Sequence, residues 1–499
     1  MSVSARRAFA FSAAITILAL SALPAAAQPA DSAAYRAQAQ AELERLRGVQ
    51  PVDGPARNII IFIGDGFGVT TLTAARIYQG QQRGVDGESF VTAMDTLPHS
   101  ALVRTYSHDA QVSDSAPTAT AILSGVKARA AVIGYGPEAL IGDCASGRGH
   151  EAPSLIAQAQ GMGLATGVIT TTRITHATPA AAYAHTAHRN WEARLPAEAA
   201  AQGCTDIAAQ LVDGATGAAL DVVMGGGRRY FVPASVADPE YPAITGLRDD
   251  GRNLLAEWRA RHPQGHYVTD AAGLAAIDPA APGPLLALFE PDHMRYTIDR
   301  AQDPAGEPSL AEMTAAAIAR LSRNPNGFIL LVEAGRIDHA HHAGNAARAL
   351  ADAAAMDEAV AAAMALTDPA DTLIVTTADH SHVIGMAGYP SRGNPILGLV
   401  REDGDVTLAD DGLAYTTLGY LNGPGAVDRA ASGLRPDPAE HDTHDHDYLQ
   451  QALVPLGSET HGGEDVAVRA SGPMAHLFRG TIEQHTIHAI MQAALLAGR

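Results

Sequence analysis

Ile59-Ile60-Ile61-Phe62-Ile63 runs straight into Gly64-Asp65-Gly66, and the reading of that stretch decides the fold. A short, β-rich apolar run reads as a strand of a parallel sheet buried on both faces. Two further runs have the same form. Phe328-Ile329-Leu330-Leu331-Val332 meets Glu333, with Asp338 and His342 just beyond. Leu373-Ile374-Val375-Thr376-Thr377 leads to Asp379-His380-Ser381-His382. In open α/β sheets, ligands gather at the carboxyl ends of the strands. Three distant segments are therefore expected to deliver carboxylates and imidazoles to one crevice, as in a multi-metal hydrolase.

Outward from these runs, strand and helix signals alternate to about residue 390, with further strands expected at 165–171 and 221–224. That alternation predicts an α/β fold with a doubly wound, mostly parallel sheet flanked by helices. Residues 344–366 read as an Ala-rich helix. Residues 33–46, with Tyr35, Ala39, Leu43 and Leu46 at helical spacing, read as an arm before the first strand. From Gly393 to about Ser458 the texture turns to Gly, Pro, Asp and short strands, which predicts a small insertion with its own sheet. The main domain is then 28–392 together with 459–499, and the insertion 393–458. Within it, Glu440 to Asp447 alternates His and carboxylates; with no ordered scaffold to fix a coordination geometry, it reads as a solvated loop.

The 499 residues are 47% hydrophobic, enough for one large domain with insertions or for two domains. A net charge of -20 argues against binding a nucleic-acid backbone by charge. Arg6-Arg7, the apolar stretch 9–23 and Ala25-Ala26-Ala27 form a signal peptide over residues 1–27, so the mature chain is expected in the periplasm or secreted. The apolar stretch is short for a span of roughly 20 residues, and the C-terminus carries no lipid-anchor pattern, so no membrane anchor is expected. An even count of two cysteines, Cys144 and Cys204, suggests one bridge in an exported protein.

Asp338 and His342 stand at i, i+4, on one helical or turn face, and His461 lies in Glu459-Thr460-His461. A carboxylate with two imidazoles is a zinc set with open positions. Asp65, Asp379 and His380 make a second set, and Glu333 with Asp65 and a hydroxyl suits a harder ion such as Mg²⁺. Two such metals close together stabilise an in-line phosphoryl displacement. Ser115, in Ser113-Asp114-Ser115-Ala116-Pro117, is the candidate nucleophile. A Ser ahead of an Ala-rich run is also a helix N-cap, and a helix N-terminus attracts anions.

These residues carry a resemblance. The chain resembles the alkaline phosphatase family, in its animal-type pattern, nearly end to end after the signal peptide. The matching motifs include Phe62-Ile63-Gly64-Asp65-Gly66, Asp114-Ser115-Ala116, Thr170-Thr171-Thr172-Arg173, Tyr183-Ala184-His185-Thr186, Val332 to His339, Thr377 to His382 and Glu459-Thr460-His461. The resemblance implies hydrolysis of small-molecule phosphate monoesters through a phosphoserine on Ser115. It implies two Zn²⁺ and one Mg²⁺ per chain. Asp338, His342 and His461 match the first zinc site. Asp65, Asp379 and His380 match the second, and Asp65, Thr178 and Glu333 the magnesium site. Arg189 matches the arginine that clamps phosphate, a role suited to its planar fork. His176 and His339 match two positions that vary between branches of the family. Glu240, Phe289, Glu290 and Glu307 resemble a peripheral Ca²⁺ site. Cys144 and Cys204 match a family disulfide, and the insertion and N-terminal arm imply a crown and a homodimer.

Pro117 departs from the Gly usual after Asp-Ser-Ala in the animal branch. It creates a partial likeness to the sulfatase signature, but position 119 is Ala where that signature has Arg. A phosphodiesterase or sulfatase on the same scaffold is the enzyme alternative. A periplasmic phosphate- or metal-binding protein is the non-enzyme one.

Overall fold

The computed structural model describes residues 31–426 and 435–497. The expected signal peptide lies outside the described residues, as does part of the insertion. The three metal-tipped runs form adjacent strands in the middle of one sheet. β1 (Asn58–Gly64) lies between β7 (Phe328–Ala334) and β8 (Thr372–Ala378), parallel to both, with Ile63 level with Glu333 and Thr377. Every residue of β7 and β8 is buried, because helices cover both faces.

The remaining strands of that sheet are β2 (His99–Arg104), β3 (Ala165–Arg173), β4 (Val222–Gly226), β5 (His266–Val268), β6 (Leu285–Leu288), β16 (Val466–Ser471) and β17 (Thr481–Glu483). The order is β17-β2-β16-β8-β1-β7-β3-β4-β6-β5. Only β16 runs antiparallel to its neighbours. The expected strands at 165–171 and 221–224 are thus present, each shifted or extended by one or two residues. The Ala-rich helix spans Ala346–Leu366, N-capped by Asn345. Its buried face packs under β1 and β7.

The N-terminal arm is a helix, Ser32–Gly48, capped by Asp31, and none of its residues is buried. The insertion carries the hairpin β11 (Arg401–Glu402) and β12 (Asp405–Val406), and most of a small sheet in which β13 (Leu418–Gly423) lies between β10 (Ile384–Met386) and β14 (Ala452–Pro455). That sheet draws its first strand from ahead of residue 393. Ile384, Ile396, Leu397, Leu418 and Tyr420 belong to the same core as the large sheet, so the insertion is seated on the main domain.

Candidate active site

The crevice beyond the carboxyl ends of β1, β7 and β8 collects the expected groups. Asp65 follows β1 by one residue, Asp379 follows β8, and Glu333 is the penultimate residue of β7. The helix Arg336–His342 comes next and puts Asp338 and His342 on one face. His461 arrives from far along the chain because β15 (His461–Gly462) pairs antiparallel with β9 (Ser381–His382), setting His461 opposite His382.

Three groups of donor atoms result, each with its atoms within 4.8 Å of one another: Asp338, His342, His382 and His461; Asp65, Asp379 and His380; Asp65, His176 and Glu333. Asp65 belongs to two of them. The first two contain the ligand sets read from the sequence. His342 Nδ1 donates to the Glu459 carbonyl (2.6 Å) and His461 Nδ1 to the Ser113 carbonyl (2.7 Å), which leaves both Nε2 atoms free to ligate. Thr178 Oγ1 is buried beside Glu333, as the harder-ion set requires.

The electrostatics call for cations. Burial, with the nearby charges of Asp338, Asp379 and Glu333, pushes the Asp65 carboxyl well above its ordinary range. Burial raises Asp379 too. Glu333 is pushed up to about 7 by burial, although Thr170 and Thr172 donate to its Oε2. Asp65 Oδ2 and Glu333 Oε1 are buried without a hydrogen-bond partner. Clustered, buried, under-satisfied carboxylates either stay protonated or take a positive charge among them. Two sets rich in Asp and His fit zinc, and an all-oxygen set of Asp65, Glu333 and Thr178 fits Mg²⁺.

Ser115 faces this cluster. It is the first residue of the helix Ser115–Ser124, and its Oγ lies 3.1 Å from His380 Nε2 and 3.4 Å from Asp65 Oδ1. The sequence reading allowed Ser115 to be the N-cap. The cap is Asp114, whose Oδ1 accepts the Ala116 N–H, so the Ser115 hydroxyl is not spent on capping and turns to Asp65 and His380. Pro117 sits in the first turn, where no intrahelical N–H is needed, and the helix continues regularly through it. Arg189 is held over the helix end: Nη1 donates to Asp114 Oδ1 (3.0 Å) and Nη2 lies 3.1 Å from His176 Nε2. His176 and His339 stack edge to face with centroids 5.4 Å apart, and His293 packs against both.

Reading the sequence missed several participants. His382 is fully buried, with Nε2 2.8 Å from Asp338 Oδ1 and Nδ1 bonded to Glu459. Burial alone would lower its pKa; the bonds to Asp338 and Glu459 outweigh it and raise it to about 9. Asp114 anchors Arg189, and Thr170 and Thr172 anchor Glu333. In the peripheral acidic set, Glu240 and Glu290 group with Asp303. Glu307 is not a member of that group; its carboxylate accepts the Arg295 backbone N–H. The Phe289 carbonyl accepts from Arg228. The proximity of His382 to His380 and of Asp114 to Ser115, and the Thr170-Thr171-Thr172-Arg173 motif, were usable signals; the contacts these residues make are tertiary. The His and Asp side chains of 440–447 are exposed and, among the described residues, join no metal-sized group. Cys144 and Cys204 are bridged.

The family model for alkaline phosphatase matches residues 56–497. An alkaline phosphatase of Gadus morhua is 46% identical over 467 residues, 92% of this chain and 96% of that protein. The tissue-nonspecific isozyme of Gallus gallus is 46% identical over 472 residues, 93% and 89% respectively. Among solved structures, the Thermus thermophilus alkaline phosphatase superposes with a TM-score of 0.63 at 26% identity, covering 91% of this chain and 94% of that one. The alkaline phosphatase of the Antarctic bacterium TAB5 gives 0.59 at 21% identity, covering 89% and 98%.

Proposed function

The chain belongs to the alkaline phosphatase family and is a phosphate monoester hydrolase, and from that premise we propose that Ser115 is its nucleophile and Arg189 its phosphate clamp. The carrying observation is the place of the Ser115 hydroxyl: first turn of a helix, freed by the Asp114 cap, against Asp65 and His380. Asp338, His342 and His461 would hold one Zn²⁺, Asp65, Asp379 and His380 a second, and Asp65, Thr178 and Glu333 one Mg²⁺. When bound, these ions supply positive charge for the attacking and leaving oxygens and lower the pKa of hydroxyl and water.

The residues then have defined tasks. Arg189 binds two non-bridging phosphate oxygens through its fork, oriented by Asp114 and His176. The Ser115 oxygen, having lost its proton, forms the bond to phosphorus while the ester P–O bond breaks and the alcohol leaves with a proton. Water then attacks the phosphoserine; the Oγ–P bond breaks, Ser115 regains a proton and inorganic phosphate departs. The helix N-terminus adds a positive dipole end near the phosphoryl group. Two donors from Arg189 suit a dianionic monoester better than a diester.

The reading extends to an exported homodimer. Support for export is the N-terminal charged, apolar and small-residue pattern, and no helix among the described residues is long and apolar enough to cross a membrane. Support for a dimer is the N-terminal helix, which exposes Tyr35, Leu43 and Leu46 and buries nothing within its own chain. A peripheral Ca²⁺ would be held by Glu240 and Glu290 with Asp303. Turnover of a chromogenic phosphate monoester, diester and sulfate by one preparation of known metal content tests the reading. The monoester should be strongly preferred.

A further inference from the structure

We propose that Glu459 is a positioning residue of the first metal site, acting on Asp338 through His382; this rests on the assignment of Asp338, His342 and His461 to that site. Glu459 is a fully buried carboxylate, and among the described residues its ion-pair partners are His382 and His342 and no Lys or Arg. Its Oε1 accepts the Val383 N–H (2.7 Å) and its Oε2 bonds His382 Nδ1. The other face of the His382 ring system, Nε2, reaches Asp338 Oδ1 at 2.8 Å. The backbone of Glu459 is tied to His342 in both directions: its N–H donates to the His342 carbonyl (2.9 Å), and its carbonyl accepts from His342 Nδ1 (2.6 Å). One residue thus positions both Asp338, through His382, and His342.

His382 could itself be read as a fourth ligand, since its Nε2 lies among the first group. Exposure argues otherwise. The His342 and His461 side chains are 32% and 15% exposed, whereas His382 is 0% exposed and lies behind Asp338. Four protein ligands would also close a tetrahedral site, and a catalytic site needs an open position. His382 is clamped from behind as well. His341 packs over it with centroids 4.8 Å apart, and His341 is itself held by Thr71 Oγ1 (3.0 Å) and the Tyr420 hydroxyl (2.7 Å). Partners that orient a ligand in this way typically change metal affinity by about 10–100-fold when removed.

The test is zinc affinity, measured by chelator competition with elemental analysis, on wild type, Glu459→Gln, His382→Asn and the double variant, each stripped and reloaded. Glu459→Gln should weaken one of the two zinc ions by about 10–100-fold and leave the other unchanged. His382→Asn should weaken the same ion, and the double variant should be no weaker than the worse single variant. The melting temperature of each metal-free protein should stay close to that of metal-free wild type; a purely structural role would lower it and spare the affinity. Wild-type zinc affinity in Glu459→Gln, or losses that add in the double variant, would overturn the proposal. Should Glu459→Gln not fold, Glu459→Asp, which withdraws the carboxylate by one methylene, is read in the same way. Failure of the underlying assignment looks different: Asp338→Ala would then keep both zinc ions.

Discussion

Stripping the metals should open a stability gap between loaded and stripped protein that widens as pH rises from about 4.5 to about 7. The perturbation leaves Asp65, Asp379 and Glu333 buried together without a cation. Glu333 moves from its ordinary 4.5 to about 7, chiefly through burial. Its folded-state pKa is raised, so folding binds its proton more tightly than the unfolded chain does. That stabilisation is full below the unfolded value and is lost as pH climbs through the folded one. At about 1.4 kcal/mol per pH unit, Glu333 alone accounts for roughly 3 kcal/mol. Asp65 and Asp379 shift in the same direction. Asp338 shifts the opposite way, but from an ordinary value of 3.8 downward, so its window lies below this range. Buried His293 and His341 are depressed and favour folding as pH rises towards 6.5; neither belongs to a donor group, so they are expected to enter both forms alike. In the loaded protein the carboxylates would be ionised ligands, and binding would add about 4 kcal/mol at a thousandfold excess over Kd. Denaturant and thermal unfolding of both forms between about pH 5 and about pH 8 reads the gap. A gap that stays constant or narrows over that range would refute the argument that these carboxylates are there to hold cations.

Further outcomes follow from the same site. His176→Asp should tighten Mg²⁺ binding by about 10–100-fold, because a carboxylate can take hydrogen bonds from magnesium-bound water where an imidazole adds no negative charge; Mg²⁺ titration of stripped, zinc-restored protein checks it. Arg189→Ala should raise KM for monoesters and weaken inhibition by inorganic phosphate while zinc content stays close to that of wild type, since the guanidinium hydrogen-bonds Asp114 and His176 and none of the proposed zinc ligands; steady-state kinetics with phosphate as inhibitor measures the first two and elemental analysis the third. Cys144→Ser with Cys204→Ser should destabilise the protein by up to roughly 4 kcal/mol, the loop-closure value for a separation of 60 residues; denaturant unfolding reads it.

The parts of this fold that were legible in the sequence are those with a local signal. Ile59 to Ile63, Phe328 to Val332 and Leu373 to Thr377 announced the central strands because a strand covered on both faces has no polar side to show. Asp338 and His342 announced a shared face by spacing alone. The site residues that stayed hidden depend on register and packing. His382 and His461 meet only because two short strands, 79 residues apart at His382 and His461, pair antiparallel. Thr170 and Thr172 reach Glu333 because β3 lies beside β7, with Thr170 level with Glu333. Asp114 reaches Arg189 across 75 residues. Ser115 illustrates a local ambiguity that only geometry resolves: Asp114 and Ser115 are both good caps, and the one that caps determines which side chain is free for chemistry.

The central claim is that Ser115 carries the phosphoryl group. The most direct measurement is to mix the metal-loaded protein with radiolabelled phosphate or monoester, quench in acid and map the label by mass spectrometry. The account predicts label on the Ser115 peptide alone, and none in Ser115→Ala protein that still binds its full zinc complement. Label on another residue, or near-normal turnover by Ser115→Ala, would contradict it.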